Sequence, residues 1–377
     1  MVDASHDSQA SQMQNAAPDE RVRKESFFKR LLTRPELGSV SGALLVFLFF
    51  AIVAGDSGMF NADGILNWST VSAQLGILAI GACLLMIAGE FDLSIGSMIG
   101  FAGMMMSIPA LYWGWPVWTC IIFAFAGAML IGFINGYIVV RTGLPSFIVS
   151  LAFLFILRGL TIALSILFTN KTIVSGVSEV AEGDLLAAAF GGQIGTSFFN
   201  WLGQIGWIET YSDGSPIVSG IPMVIIWWLL LATISSFVLL RTQFGNWIFA
   251  AGGDAKAAKN VGVPTDKVKI ILFMFTAFCA TVFAACQVFE FGSAAADRGL
   301  LKEFEAIIAV VIGGALLTGG YGSVVGACFG ALIFGVVQMG IFFTGADSDW
   351  FRVFLGVMLL IAVLFNNYIR KRVTGSL

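Results

Sequence analysis

The chain has 377 residues, of which 58% are hydrophobic and only 11% charged, with a formal net charge of −3 and a mean hydropathy of +0.91. Soluble domains carry about 25% charged residues, so this composition cannot cover a water-soluble surface and specifies an integral membrane protein. A single histidine, His6 in a polar tail, excludes histidine-based catalysis and histidine metal sites; nor does any basic surface or motif point to nucleic acid. The five cysteines, Cys83, Cys120, Cys279, Cys286 and Cys328, lie inside apolar runs with no C-x-x-C spacing. They read as small buried hydrophobes rather than a disulfide or zinc framework.

Residues 1–37 form a polar tail without the apolar core of a signal peptide. Within it, KESFFKRLLTR (24–34) sets Phe27, Phe28, Leu31 and Leu32 on one stripe among basic residues. That pattern fits a short helix on the inner leaflet or an ordinary basic flank. A spanning helix needs about 20 mostly apolar residues. Ten segments qualify, near 38–55, 71–88, 93–112, 117–139, 146–168, 221–240, 269–289, 303–318, 322–343 and 351–368. The eighth is short and is separated from the ninth by Gly319 and Gly320. Strand-like alternation at barrel spacing is absent, so the expected fold is an all-α, polytopic membrane helical bundle of about ten transmembrane helices over 38–370.

Drawn this way, one side collects fifteen of the twenty Lys and Arg residues: the cluster 21–34, Arg141, the loop 241–268 with Lys269, and Arg370 to Arg372. The other side is acidic, most of all in the long segment 169–220. The positive-inside rule then puts both termini, including the tail 371–377, in the cytoplasm and 169–220 outside. Trp113, Trp115 and Trp118 at one outer turn suit an aromatic belt or simple gap filling.

Polar residues inside apolar spans are costly, so they mark partners or pathways. The run Ala88-Gly89-Glu90-Phe91-Asp92-Leu93-Ser94-Ile95-Gly96-Ser97 breaks one long apolar stretch with two carboxylates and two hydroxyls. Asp92 or Ser94 can cap the following helix, and the glycines permit a tight break. Arg158 lies mid-span and has Glu305 or Glu90 as candidate ion-pair partners; Asn135 and Gln338 face either the interior or neighbouring helices. Together Asp92, Ser94, Asn135, Arg158 and Glu305 form a candidate solute route. Gly322, Gly326 and Gly330 make a packing ridge, and GSMIG (96–100) is faintly echoed by GSVVG (322–326).

The cytoplasmic loop FGNWIFAAGGDAKAAKNVGVPTDKVK (244–269) predicts a short helix. Asp254 is a good N-cap, Gly262 a stop and Pro264 follows it. Small Ala257 and Ala258 would let another protein come close. No G-x-x-x-x-G-K-[ST] occurs, nor any Gly-Lys dipeptide, so this chain has no glycine-rich cradle for ATP.

The runs GEFDLSIGS, GFINGYIVVRTGLPSFIVSLAFLFILRGL (132–160), AAGGDAKAAKNVGV and EFEAIIAVVIGGALLTGGYGSVVGACFGALIFG (303–335) resemble, in this order, the ribose/xylose-type permeases of bacterial ABC importers. The resemblance covers roughly residues 65–370. It implies a type II-like permease working as a homodimer in the lipid bilayer. Its partners would be a cytoplasmic ATP-binding-cassette ATPase, which uses ATP and Mg, and a periplasmic binding protein delivering a monosaccharide or polyol. It also implies that 252–262, with Asp254, Ala257, Ala258 and Gly262, is the coupling helix docking on that ATPase. No cofactor or metal is expected on this chain. Three positions depart from the family pattern: Ser146 stands where a second Pro is usual, Gln338 where Asn is usual and Arg352 where an uncharged polar residue is usual. The rivals are a branched-chain amino-acid permease of related architecture and an ion-coupled symporter using Glu90, Asp92 and Glu305.

Overall fold

A computed structural model describes residues 35–347, 349–358, 360 and 364. The stretch 24–34 and the tail 371–377 lie outside the described residues. In chain order, the long helices are α1 (Pro35–Val53), α2 (Ala62–Ile87), α3 (Ile95–Tyr112), α4 (Val117–Thr142) and α5 (Ser146–Thr169). Three short helices follow, α6 (Val177–Ala181), α7 (Leu185–Gly191) and α8 (Thr196–Gln204). Then come α9 (Met223–Arg241), α10 (Gln243–Gly253), α11 (Ala255–Asn260), α12 (Thr265–Phe291), α13 (Lys302–Ile312) and α14 (Val324–Phe343). Residues 349–358 are also helical.

Seven of these helices are long and apolar enough to cross a membrane. Their sequences explain the form: apolar Leu, Ile, Val and Phe runs leave the backbone no partner in lipid except itself. Breaks fall where Gly or Pro interrupts, as at Gly143-Leu144-Pro145 between α4 and α5, with Gly143 left-handed at φ 68°. Arg141 and Arg241 occupy the last turns of α4 and α9, where positive charge meets the carboxyl-end dipole. All five cysteines are free, four of them buried and Cys328 partly so.

The core is α2, α3, α12 and α14, with α2 83% buried over its apolar window. Peripheral α9 is only 22% buried over its own. Small residues bring backbones together. A side chain at Gly136 would reach the Ile270 Cα at 2.9 Å, and one at Gly132 the Met274 Cα at 2.9 Å, which locks α4 against α12.

The eighth expected span is corrected. α13 has eleven residues, a rise of about 16 Å, and cannot cross a core of about 30 Å. The chain instead leaves α12 at Gly292, pairs β4 (Ser293–Ala295) antiparallel with β1 (Ile173–Ser175), and runs as non-helical backbone beside α3. Side chains at Gly96 and Gly100 would meet the Gly299 carbonyl at 2.6 Å and the Ala296 carbonyl at 2.7 Å. The glycines of the sequence echo therefore play parallel roles: Gly96 and Gly100 admit the approach to α13, and Gly322 and Gly326 admit its exit at Gly313 and Ala315. The other boundaries shift modestly. The largest change is at α2, which starts at Ala62 rather than near 71 because Asn61 accepts the first helical bond from Ile65 N–H.

Candidate functional site

The break between α2 and α3 is the centre of the arrangement. The break residues 88–94 bring Asp92 and Ser94 to a buried point met by Asn135 of α4 and Thr276 of α12. Asp92 Oδ1 accepts from the Ser94 N–H (2.9 Å) and the Ser94 hydroxyl (2.5 Å). Its Oδ2 accepts from the Thr276 hydroxyl at 2.5 Å. Asn135 Nδ2 lies 3.3 Å from Ser94 Oγ and 3.5 Å from Asp92 Oδ1, while its Oδ1 has no partner. A carboxylate in an apolar bundle is tolerable only with such donors on both oxygens. Asp92 acts as a knot tying the broken loop to two spanning helices.

Two further ties hold the same loop. Glu90 pairs with Lys269 of α12. The Ser146 hydroxyl accepts the Phe91 N–H at 3.0 Å, a bond that proline at this position could not supply.

The third set of contacts is made by backbone alone. Gly320 N–H donates to the Ile87 carbonyl at 2.8 Å, where α2 ends. Gly252, near the end of α10, sits in the same crossing. A side chain there would strike the Ile87 carbonyl and come within 2.6 Å of Gly320 N. A side chain at Gly319 would lie 2.8 Å from the Gly89 Cα. Gly319 (φ 80°) and Gly320 (φ 75°) are both left-handed, a conformation that disfavours any side chain. Three broken segments thus touch without side chains between them.

Beyond Gly253 the chain forms α11. Asp254 caps it, accepting from Lys256 N–H and Ala257 N–H at 3.0 Å each, and left-handed Gly262 (φ 89°) follows its end. Ala257 is exposed, but Ala258 is buried within its own chain, its carbonyl accepting from Val263 N–H at 3.0 Å. The expectation that both alanines face a partner is therefore corrected for Ala258. The exposed apolar side chain beyond the helix is Val261, 81% accessible.

The remaining candidates are distributed differently from the expectation. Glu305 pairs with Lys302 at 2.5 Å, and Glu90 with Lys269, so neither is the ion-pair partner of Arg158. Half-buried Arg158 lies within electrostatic reach of Glu303, which is 2% exposed and whose Oε2 has no hydrogen-bond partner. Sequence reasoning chose the wrong acid of the two. Helical spacing puts residues 303 and 305 on different sides of α13, and only the inward one meets α3 at Gly96. Thr276 and Lys269 were also missed, because a lone hydroxyl in an apolar helix looks like packing and Lys269 looks like a boundary charge, while Ser146 stood out only as a departure from the family pattern. The Gly-Gly pair 319–320 was visible, but only as a break, and 252–253 only as part of the loop before the short helix. No cluster of three or more metal-ligating side chains exists among the described residues.

This is a multi-pass membrane protein of helical-bundle type, organised around broken helices that meet beside a capped loop helix. Residues 64–363 match the family described as branched-chain amino acid transport system / permease component, and the chain belongs to that family. It is 30% identical over 369 residues to the xylose transport system permease protein XylH of Haemophilus influenzae, covering 88% of this chain and 96% of the relative. It is 30% identical over 346 residues to the ribose import permease protein RbsC of Escherichia coli, covering 90% and 97%. The fructose import permease protein FrcC of Rhizobium meliloti is 30% identical over 299 residues, covering 79% and 76%. No solved structure matches significantly. As a permease component the chain is a transport subunit, which agrees with its lack of a nucleotide cradle.

Proposed function

We propose that the chain is the membrane subunit of an importer for a monosaccharide or polyol, driven by a separate ATP-binding-cassette subunit that uses ATP and Mg. The observation that carries this reading is the glycine crossing: α11 is joined through Gly252 and Gly253 directly to the ends of two broken helices. A push on such a knob reaches the break without being absorbed by soft side-chain packing. A symporter, which rocks on ion binding alone, has no use for this coupling. The sugar class rests on the xylose, ribose and fructose permeases it resembles.

In this reading the basic end faces the cytoplasm with both termini, two copies pair in the bilayer, and α11 docks on the ATPase through exposed Ala257 and Val261. The Asp92, Ser94 and Asn135 knot fixes the wall beside the route, whereas half-buried Arg158 and Glu305 have surface to offer a polyhydroxy solute. A periplasmic binding protein docks on the acidic part of 169–220 near exposed Glu179 and Glu182. Deleting 179–195 is a poor test of that docking, because Phe190 stacks on Trp227 at 5.0 Å and α7 packs on α12. Glu179→Lys with Glu182→Lys is the cleaner probe.

The test of the whole proposal is uptake of labelled xylose, ribose and fructose by cells carrying the complete transporter and lacking their own permeases. Accumulation of at least one sugar, abolished by Val261→Glu with normal membrane insertion, is the expected result. Accumulation of leucine or valine instead, or full uptake by Val261→Glu, overturns it.

A further inference from the structure

The outer segment contains a helix with an exposed apolar face. In α8 (Thr196–Gln204) and the residue after it, Phe198, Phe199, Trp201, Leu202 and Ile205 fall on one arc, while Thr196, Ser197, Asn200 and Gln204 fall on the other. Phe198, Trp201 and Ile205 are 57%, 52% and 46% accessible, and the Phe198 and Trp201 rings stack at 6.0 Å. The side at Gly203 is already taken: a Cβ there would lie 3.2 Å from both Pro216 and Thr210 of the following hairpin. Three large apolar side chains grouped on one short helix are not an ordinary aqueous surface.

The position of this helix decides what covers it. β2 (Gln193–Ile194) pairs antiparallel with β3 (Ile221–Pro222), and Met223 N–H donates to the Gly192 carbonyl at 3.0 Å. Met223 begins α9, the least buried of the seven spanning helices, with Leu229, Ile234 and Phe237 all exposed. Left-handed Gly195 (φ 80°) turns the chain, so α8 starts four residues from the Gly192 tie, within about 13 Å of extended chain of the end of an exposed apolar helix. The tether therefore holds its apolar arc within reach of that helix's end. Phe and Trp suit the headgroup boundary, where a ring meets hydrocarbon on one side and water on the other.

From this geometry we infer that α8 lies in the outer leaflet, its Phe198–Trp201–Ile205 face inserted at the headgroup–acyl boundary, as a surface anchor for the outer segment. The hairpin beyond it stays in water. Ser215 donates to Asp213 from both its hydroxyl (2.6 Å) and its N–H (2.9 Å), which holds that carboxyl below the usual range and charged. Residues 196–218 contain no Lys, Arg or His, so the attachment is apolar and does not require anionic lipid. The acidic α6–α7 half remains free for other contacts, and the inference stands whether or not a binding protein docks there.

The test uses the full chain in phosphatidylcholine vesicles at low protein density, with the five native cysteines replaced and one nitroxide attached through Phe198→Cys, Trp201→Cys, Asn200→Cys or Asp213→Cys. Collision with oxygen should exceed collision with a water-soluble nickel chelate at 198 and 201, and the order should reverse at 200 and 213. Adding anionic lipid should leave these ratios unchanged. Dominance of the nickel chelate at 198 and 201 would overturn the inference. So would apolar protection that appears only at densities where copies associate, or only after a binding protein is added, because either would make the face a protein interface.

Discussion

The two ends of the bundle are joined in different ways. At the basic end, Gly252, Gly89, Gly319 and Gly320 bring three chain segments into backbone contact, and Asp92 ties the same loop to α4 and α12. At the acidic end, the covering segment is held by short strand pairs, β1 on β4 and β2 on β3, by a close glycine approach at Gly191, and by side chains such as Phe190 stacked on Trp227, and it carries an exposed helix. Backbone contacts through glycine have no rotamers to absorb displacement, whereas a stacked aromatic pair can slide. The contrast separates an end suited to transmit movement from an end suited to receive a visiting partner.

The largest effect should come from breaking the glycine crossing. Gly252→Ala puts a methyl group into the Ile87 carbonyl, with only backbone to displace, at a cost of about 3 kcal/mol. Gly253→Ala has open space around it and should be nearly neutral. Melting both variants in detergent micelles checks this; equal Tm values would show that the crossing is loose. Next comes the knot. Thr276→Val keeps the shape of the side chain but leaves Asp92 Oδ2 without its donor, costing about 1–3 kcal/mol. The same melting experiment reads it, and Thr276→Ser should restore most of the loss.

At the loop itself, Asp254→Ala removes two capping bonds and should cost about 1 kcal/mol. Its readout is local: faster amide exchange at Lys256 and Ala257, with α2 and α3 unchanged. Faster exchange spreading into α2 would show that the cap supports the crossing as well. The smallest effect has the opposite sign. Leu301 holds φ 66° just before α13, a conformation costing a leucine about 1 kcal/mol. Leu301→Gly should therefore leave Tm equal or slightly raised, and a clear fall would mean that its half-exposed side chain packs better than its backbone strain suggests.

Most of the spanning helices were legible because a run of about 20 apolar residues matches the thickness of a bilayer and fits little else. The eighth was misread since GGALLTGG extends the apolar run while its glycines end the helix. Asp92, Ser94 and Asn135, grouped from the sequence as part of a solute route, do meet in space, as polar residues in apolar spans have little choice but to do. Their partner Thr276 carried no such mark, because threonine can bond its own helix, as Thr276 also does to the Phe273 carbonyl at 2.9 Å. Ala258 shows the opposite limit: a small residue on a loop helix signals close approach but not whether another protein or its own chain approaches.

From Gly292 to Ile312 the chain runs as a three-residue strand, then as turns over 296–301, and last as helix. An ordinary spanning helix has a length set by its residue count, about 1.5 Å for each residue. A residue left among the turns adds only what its own dihedrals allow, so moving one residue across the Leu301 junction changes the reach of the segment. Among the helices of this bundle, α13 is hung on a tether whose length is adjustable one residue at a time.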